Sequence, residues 1–162
     1  MSNASDSPKD PTKRFTGLAD SYARFRPAYP AKLFEALAEK APPVPGCIVA
    51  DIGCGTGISS RQLAERGWQV IGVEPNEEML RKAKQVPCES VQYHLGRAEE
   101  TGLSQESMRL VVCAQAFHWF DANRSLAEFH RILLDEGWVG LIWNERDTRD
   151  QGTEAYSRII TS

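Results

Sequence analysis

Long apolar runs are missing from this chain, as are blocks of basic residues and paired-cysteine motifs. No stretch approaches the ~20 apolar residues that a membrane-spanning helix requires, and no signal-peptide pattern opens the sequence. The formal charge is −3 with no cluster of Lys or Arg, so neither nucleic acid nor an anionic membrane is the expected partner. The four cysteines (Cys47, Cys54, Cys88, Cys113) form no C-x-x-C pair, and no histidine stands at zinc-ligand spacing. Cys47 and Cys113 lie inside apolar runs, where a free thiol packs as a small core residue. A reducing, cytoplasmic compartment and no metal are therefore expected. With 162 residues, 41% hydrophobic and 25% charged, the chain suits one globular domain and a small-molecule partner.

What is there centres on Cys47–Gly57, CIVADIGCGTG. A short apolar run bounded by turn signals reads as a buried strand. It leads through Asp51 into glycines at alternate positions, Gly53, Gly55 and Gly57, which allow sharp bends and close backbone approach. The next segment has helical character, and its first amides would face the same crevice. A dinucleotide fingerprint needs G-x-G-x-x-G, yet Ile58 occupies the third glycine's place. Asp51 also aims a carboxylate at the ligand, which repels a pyrophosphate and suits a cation.

The remaining elements alternate. Phe15, Leu18, Ala19 and Tyr22 mark one face of a short helix, and Pro27 and Pro30 enforce an extended passage. AKLFEALAEK follows as a helix stopped at Pro42. A second strand ends at Glu74, about 20 residues after the glycine turn, where an acid accepts hydrogen bonds from ribose hydroxyls. Asn76 is placed to cap the next helix. VQYHL is the third strand, and LVVCAQ, ending at Gln115, the fourth. Asp121 caps a helix with the apolar stripe Ala122, Leu126, Phe129 and Leu133, closed by Gly137, and WVGLIWN is the fifth strand. Strands alternating with helices predict an α/β fold with a parallel sheet covered on both faces.

The run DIGCGTG resembles motif I of the class I S-adenosylmethionine-dependent methyltransferases, and later segments match that family in order. Tyr22-x-x-x-Arg26-Pro27-x-Tyr29-Pro30 resembles a segment preceding motif I in a small-molecule subgroup. QAFHWF (Gln115–Phe120) resembles the motif after strand four of the trans-aconitate-methyltransferase-like subgroup. The resemblance implies a three-layer, Rossmann-like sheet of about five parallel strands, without the family's C-terminal antiparallel strands. It also implies S-adenosylmethionine as cofactor and S-adenosylhomocysteine as product. The cofactor contacts it implies are Tyr22, Arg26, Asp51, Gly53, Cys54, Gly55, Gly57, Glu74, Pro75, Ala98, Glu99 and Gln115. Two positions depart from the family: Arg97 stands where an adenine-binding Asp is usual, and Arg109 interrupts the entry to the fourth strand.

His118 has three readings: a base for an acidic hydroxyl, a cation that binds an acidic substrate, or a ring packed in an aromatic wall. The expected organisation is a polar tail or vector remnant (1–13), N-terminal cap helices (14–45), the cofactor-binding core (46–146) and a polar C-terminal segment (147–162). The expected activity is methyl transfer to a small polar or carboxylate-bearing metabolite. The rival is a truncated module that holds the cofactor without a complete acceptor site. A bare fifth strand would leave a sheet edge, which a second copy could cover as a homodimer.

Overall fold

A computed structural model describes residues 29–144. Tyr22 and Arg26, like the tails at 1–13 and 147–162, lie outside the described residues. The elements run α1 (Ala31–Lys40), β1 (Ile48–Ile52), α2 (Ile58–Ala64), β2 (Gln69–Glu74), α3 (Glu77–Lys84) and β3 (Val91–Leu95). They continue through β4 (Met108–Ala114), a 3-10 turn (Phe117–Trp119), α4 (Ala122–Ile132) and β5 (Leu133–Ile142). The five strands form one parallel sheet in the order β3-β2-β1-β4-β5. This is the expected Rossmann-like α/β architecture. The chain builds outward from β1 on one side, then crosses to begin again at β4. The carboxyl ends of β1 and β4 therefore flank the topological switch point, where open α/β sheets bind ligands.

Successive residues of a strand face opposite sides, and here they enter two different cores. Val49, Leu110 and Val112 pack with Phe34 of α1, Leu63 of α2 and the buried Trp68. Ala50, Ile52, Val111 and Cys113 pack with Phe129 and Ile132 of α4. Trp68 also donates its indole N–H to Ala41 O at 2.8 Å, which satisfies a carbonyl at the end of α1 ahead of Pro42. Asn76 caps α3 as expected, its side chain accepting from Met79 N.

Two boundaries differ from the sequence reading. The inward face of α4 is Ser125, Glu128, Phe129 and Ile132, whereas Leu126 is exposed. The helix then stops at Ile132 without a glycine, and Leu133 already begins β5. Gly137 instead lies within a break in the β4–β5 register, beside Glu136 at φ +60°. Arg109 finds a role at this break, donating to Asp135 O at 3.2 Å. Among the described residues β5 forms the outer edge of the sheet, with Trp138, Val139 and Leu141 exposed.

Candidate cofactor-binding site

The turn after β1 is built to bring bare backbone to the switch point. Gly53, Gly55 and Gly57 all have positive φ, at +72°, +56° and +76°. At Gly53 a Cβ would lie 2.6 Å from Ala116 Cβ, so only glycine fits beneath the segment that follows β4. At Gly57 a Cβ would collide with the Tyr93 hydroxyl and lie 2.9 Å from Arg61 Nη1. Arg61 Nη1 in turn donates to Thr56 O at 2.9 Å, holding the turn from its outer side. Gly53 N and Cys54 N both donate to Val73 O, which ties the turn to β2.

Glu74 closes the other wall. It is 7% exposed, and its two carboxylate oxygens have separate donors, each at 2.9 Å: Gly55 N–H for Oε2 and Asn76 N–H for Oε1. The acid at the end of β2 is thereby fixed to the glycine turn. Burial raises its pKa from the ordinary carboxylate value, and these two amides pull it back. Pro75, half-buried, holds the turn that follows.

Asp51 is fully buried in β1 rather than open to the crevice surface. Its Oδ2 accepts from the hydroxyls of Ser59 (2.7 Å) and Ser60 (2.6 Å) at the start of α2. Its Oδ1 has no partner, nor does the Thr56 hydroxyl. Burial also raises the Asp51 pKa, against the two serine hydroxyls. Cys54 lies between the two acids, and burial first, then their charges, push its thiol well above its usual range.

Beyond β4, Gln115 adopts φ +59°, a left-handed conformation that costs a non-glycine residue roughly 1 kcal/mol. Its N–H donates to Ile142 O at 2.8 Å, while its side-chain Nε2 is buried without a partner. His118 sits exposed on the 3-10 turn that follows. Below β3, Arg97 and Glu100 exchange backbone hydrogen bonds, which leaves Ala98 and Glu99 at the tip of a tight turn. Ala98 is buried, and Glu99 accepts from Asp121 N–H at 2.9 Å and approaches Arg97 at 3.6 Å.

Thus Asp51, Gly53, Cys54, Gly55, Gly57, Glu74, Pro75 and Gln115 meet at one edge of the sheet, with Ala98 and Glu99 on the flanking turn. Two further residues join them. Tyr29 lines the crevice with Gly53, Cys54, Thr56, Ile58, Ser59 and Ala114, and its backbone exchanges hydrogen bonds with the Gln62 side chain. Thr56 sits inside the motif, where the glycines are the only sequence signal. The site sets the unpartnered Thr56 hydroxyl and Gln115 amide N–H among the carboxylates of Asp51 and Glu74, an arrangement that fits an ammonium, a sulfonium or a sugar diol and disfavours a phosphate.

Residues 50–141 match the methyltransferase domain family, and the chain belongs to it. An uncharacterised methyltransferase of Mycobacterium tuberculosis is 38% identical over 141 residues, covering 87% of this chain and 56% of that protein. The chain thus spans little more than half the length of that relative. A solved structure from Anaeromyxobacter dehalogenans, described as a type II methyltransferase, superposes with TM-score 0.69 at 34% identity. The match covers 85% of this chain and 59% of that one. The malonyl-[acyl-carrier protein] O-methyltransferase of Hamiltonella defensa is 33% identical over 92 residues, 56% of this chain and 35% of its own. A relative in Saccharomyces cerevisiae named as an S-adenosylmethionine-dependent methyltransferase is 28% identical over 122 residues, 72% of this chain and 42% of its own, and S-adenosylmethionine is the cofactor.

Proposed function

We propose that this chain directs methyl transfer from S-adenosylmethionine to an oxygen of a small, carboxylate-bearing metabolite. Glu74 carries the reading: a buried acid, held by Gly55 and Asn76, is set to accept from the two ribose hydroxyls. The unpartnered Thr56 hydroxyl lines the crevice and is the group for the methionine ammonium, with the buried Asp51 charge adding electrostatic attraction, and Ala98 and Glu99 border the adenine. Gln115 offers its unpartnered amide between the methionine arm and the acceptor. When bound, the cofactor supplies an electrophilic methyl group on a sulfonium. The protein's task is then to align an acceptor oxygen and exclude water, which is chiefly an orientation effect.

The carboxylate acceptor is supported by the donor character of Gln115, directly after β4, and of His118 on the turn that follows. The relative from Hamiltonella defensa, whose name makes it an O-methyltransferase of a malonyl thioester, supports it too. Thermal shift with S-adenosylmethionine, then a screen for S-adenosylhomocysteine release with short mono- and dicarboxylic acids, tests the reading. Binding without turnover on any acid would leave a cofactor-holding module and defeat the substrate class. The four free cysteines suit a reducing compartment such as the cytoplasm.

A homodimer through β5 belongs to the same proposal. Its support is the outer position of β5 among the described residues and the exposed Trp138, Val139 and Leu141 in the part of the strand beyond Asp135 and Glu136.

A further inference from the structure

We propose that His118 acts as a hydrogen-bond donor to the acceptor through Nε2–H, and that Trp143 is the positioning residue that sets this tautomer. The proposal rests on the carboxylate-acceptor reading above. Trp143 follows β5 directly after Ile142 and Trp143 Nε1 lies 3.4 Å from His118 Nδ1. An indole nitrogen can only donate, so Nδ1 must be the acceptor. A neutral imidazole carries one ring proton, which therefore resides on Nε2. Trp119 leans on the ring, with centroids 4.7 Å apart and planes at 49°. The turn that carries His118 is anchored where it counts: Ala116 and Phe120 close directly over Gly53.

The consequence is chemical. A general base needs an open lone pair, yet Nδ1 spends its pair on Trp143 and Nε2 already holds a proton. His118 therefore cannot take a proton from a substrate hydroxyl without breaking its contact with Trp143. An acceptor that arrives ionised needs no such step. A carboxylate oxygen forms the new O–C bond with its own lone pair while the C–S pair stays on sulfur. Opposite charges vanish in that step and no proton moves. Nε2–H then holds one carboxylate oxygen while the other faces the methyl group.

Two arms test this with the full chain. In the first, long-range proton–nitrogen correlation of 15N-labelled protein without substrate reads the His118 ring, assigned by its loss in His118→Gln. A pyrrole-type Nε2 and a pyridine-type Nδ1 whose shift moves in Trp143→Phe are expected. A proton on Nδ1, or no response to Trp143→Phe, overturns the pair. In the second, His118→Gln and His118→Ala are compared with short dicarboxylates as acceptors. Loss of a donor to a charged group predicts a rise in acceptor KM of about 10- to 100-fold in His118→Ala, with most of it restored by the amide of His118→Gln. A Gln variant as inactive as the Ala variant, through kcat, overturns the donor role in favour of a base. Absence of turnover on every carboxylate in the wild type defeats the substrate class and the donor role with it. The nitrogen spectra still decide the tautomer.

Discussion

Glu74 Oε2 accepts the backbone N–H of Gly55 at 2.9 Å, so the acid ending β2 and the turn following β1 form a single fixed unit. The other oxygen is held at the same distance by Asn76 N–H, which also aligns α3 through its cap. A carboxylate held this way loses little further freedom when a ligand arrives. The bare turn and the acid consequently act together, and the predictions below follow from that union and from its supports.

Gly53 and Gly46 separate steric fit from backbone strain. Both have positive φ, but a Cβ at Gly46 meets nothing within 4 Å, whereas at Gly53 it meets Ala116 and Phe120. Gly46→Ala is expected to cost about 1 kcal/mol, the strain alone. Gly53→Ala adds an overpacking cost of about 1–3 kcal/mol and shifts the segment carrying Gln115. Urea denaturation and cofactor titration check both. Equal losses in the two variants would refute the close packing of Gly53.

The buried acids predict a particular pH response. The folded pKa of Asp51 lies above its unfolded value, so its contribution is favourable below the unfolded pKa and is lost as pH rises through the folded one. Asp51→Asn keeps an acceptor for Ser59 and Ser60 while removing the charge. Its melting temperature is expected to gain on the wild type as pH increases from about 4 to 8. Over the same window, affinity for the cationic cofactor rises in the wild type and less steeply in the variant. A melting difference independent of pH would contradict the burial of this charge.

Glu128 predicts the opposite sign. Hydrogen bonds from Arg131, then from Thr101, bring its pKa down to about 2 against the cost of burial. Stability from this group is complete above the unfolded carboxylate value and is lost as pH falls towards 2. Glu128→Gln should cost about 2 kcal/mol at neutral pH, with the difference from wild type closing near pH 2. Chemical denaturation across that range is the check. The contact also pins Thr101 and Leu103 to α4, since Arg131 donates to Leu103 O at 2.8 Å.

The outer strand predicts an oligomer. Trp138→Lys with Leu141→Lys would place charge on both faces of the β5 edge. The wild type is expected to scatter light as a dimer and the double variant as a monomer, with a wild-type melting temperature that rises with protein concentration. A monomeric wild type would end the dimer proposal.

Much of this arrangement was legible in the sequence, and the exceptions share a cause. β1, β2 and β3 stand as apolar or alternating runs with glycine, proline or asparagine at their ends, so their limits and the place of Glu74 were readable. The face of α4 was misjudged because its inward positions include Ser125 and Glu128, polar residues buried by tertiary contact. Gly137 imitated a helix stop, though its setting is a break in strand register. Nothing local shows that Tyr93 crowds Gly57, or that the second charge-bearing wall, Asp51, spends one oxygen on Ser59 and Ser60. The first contact joins residues that only the parallel sheet brings together, and the second is a local one, eight and nine residues apart, that no sequence pattern marks.

Isothermal titration of S-adenosylmethionine into the wild-type chain and into Glu74→Ala tests the central claim most directly. One-to-one binding to the wild type is predicted, weakened at least about 100-fold in Glu74→Ala by the loss of two charged hydrogen bonds to the ribose. No binding heat from the folded wild type, or equal affinity in both proteins, would contradict the account.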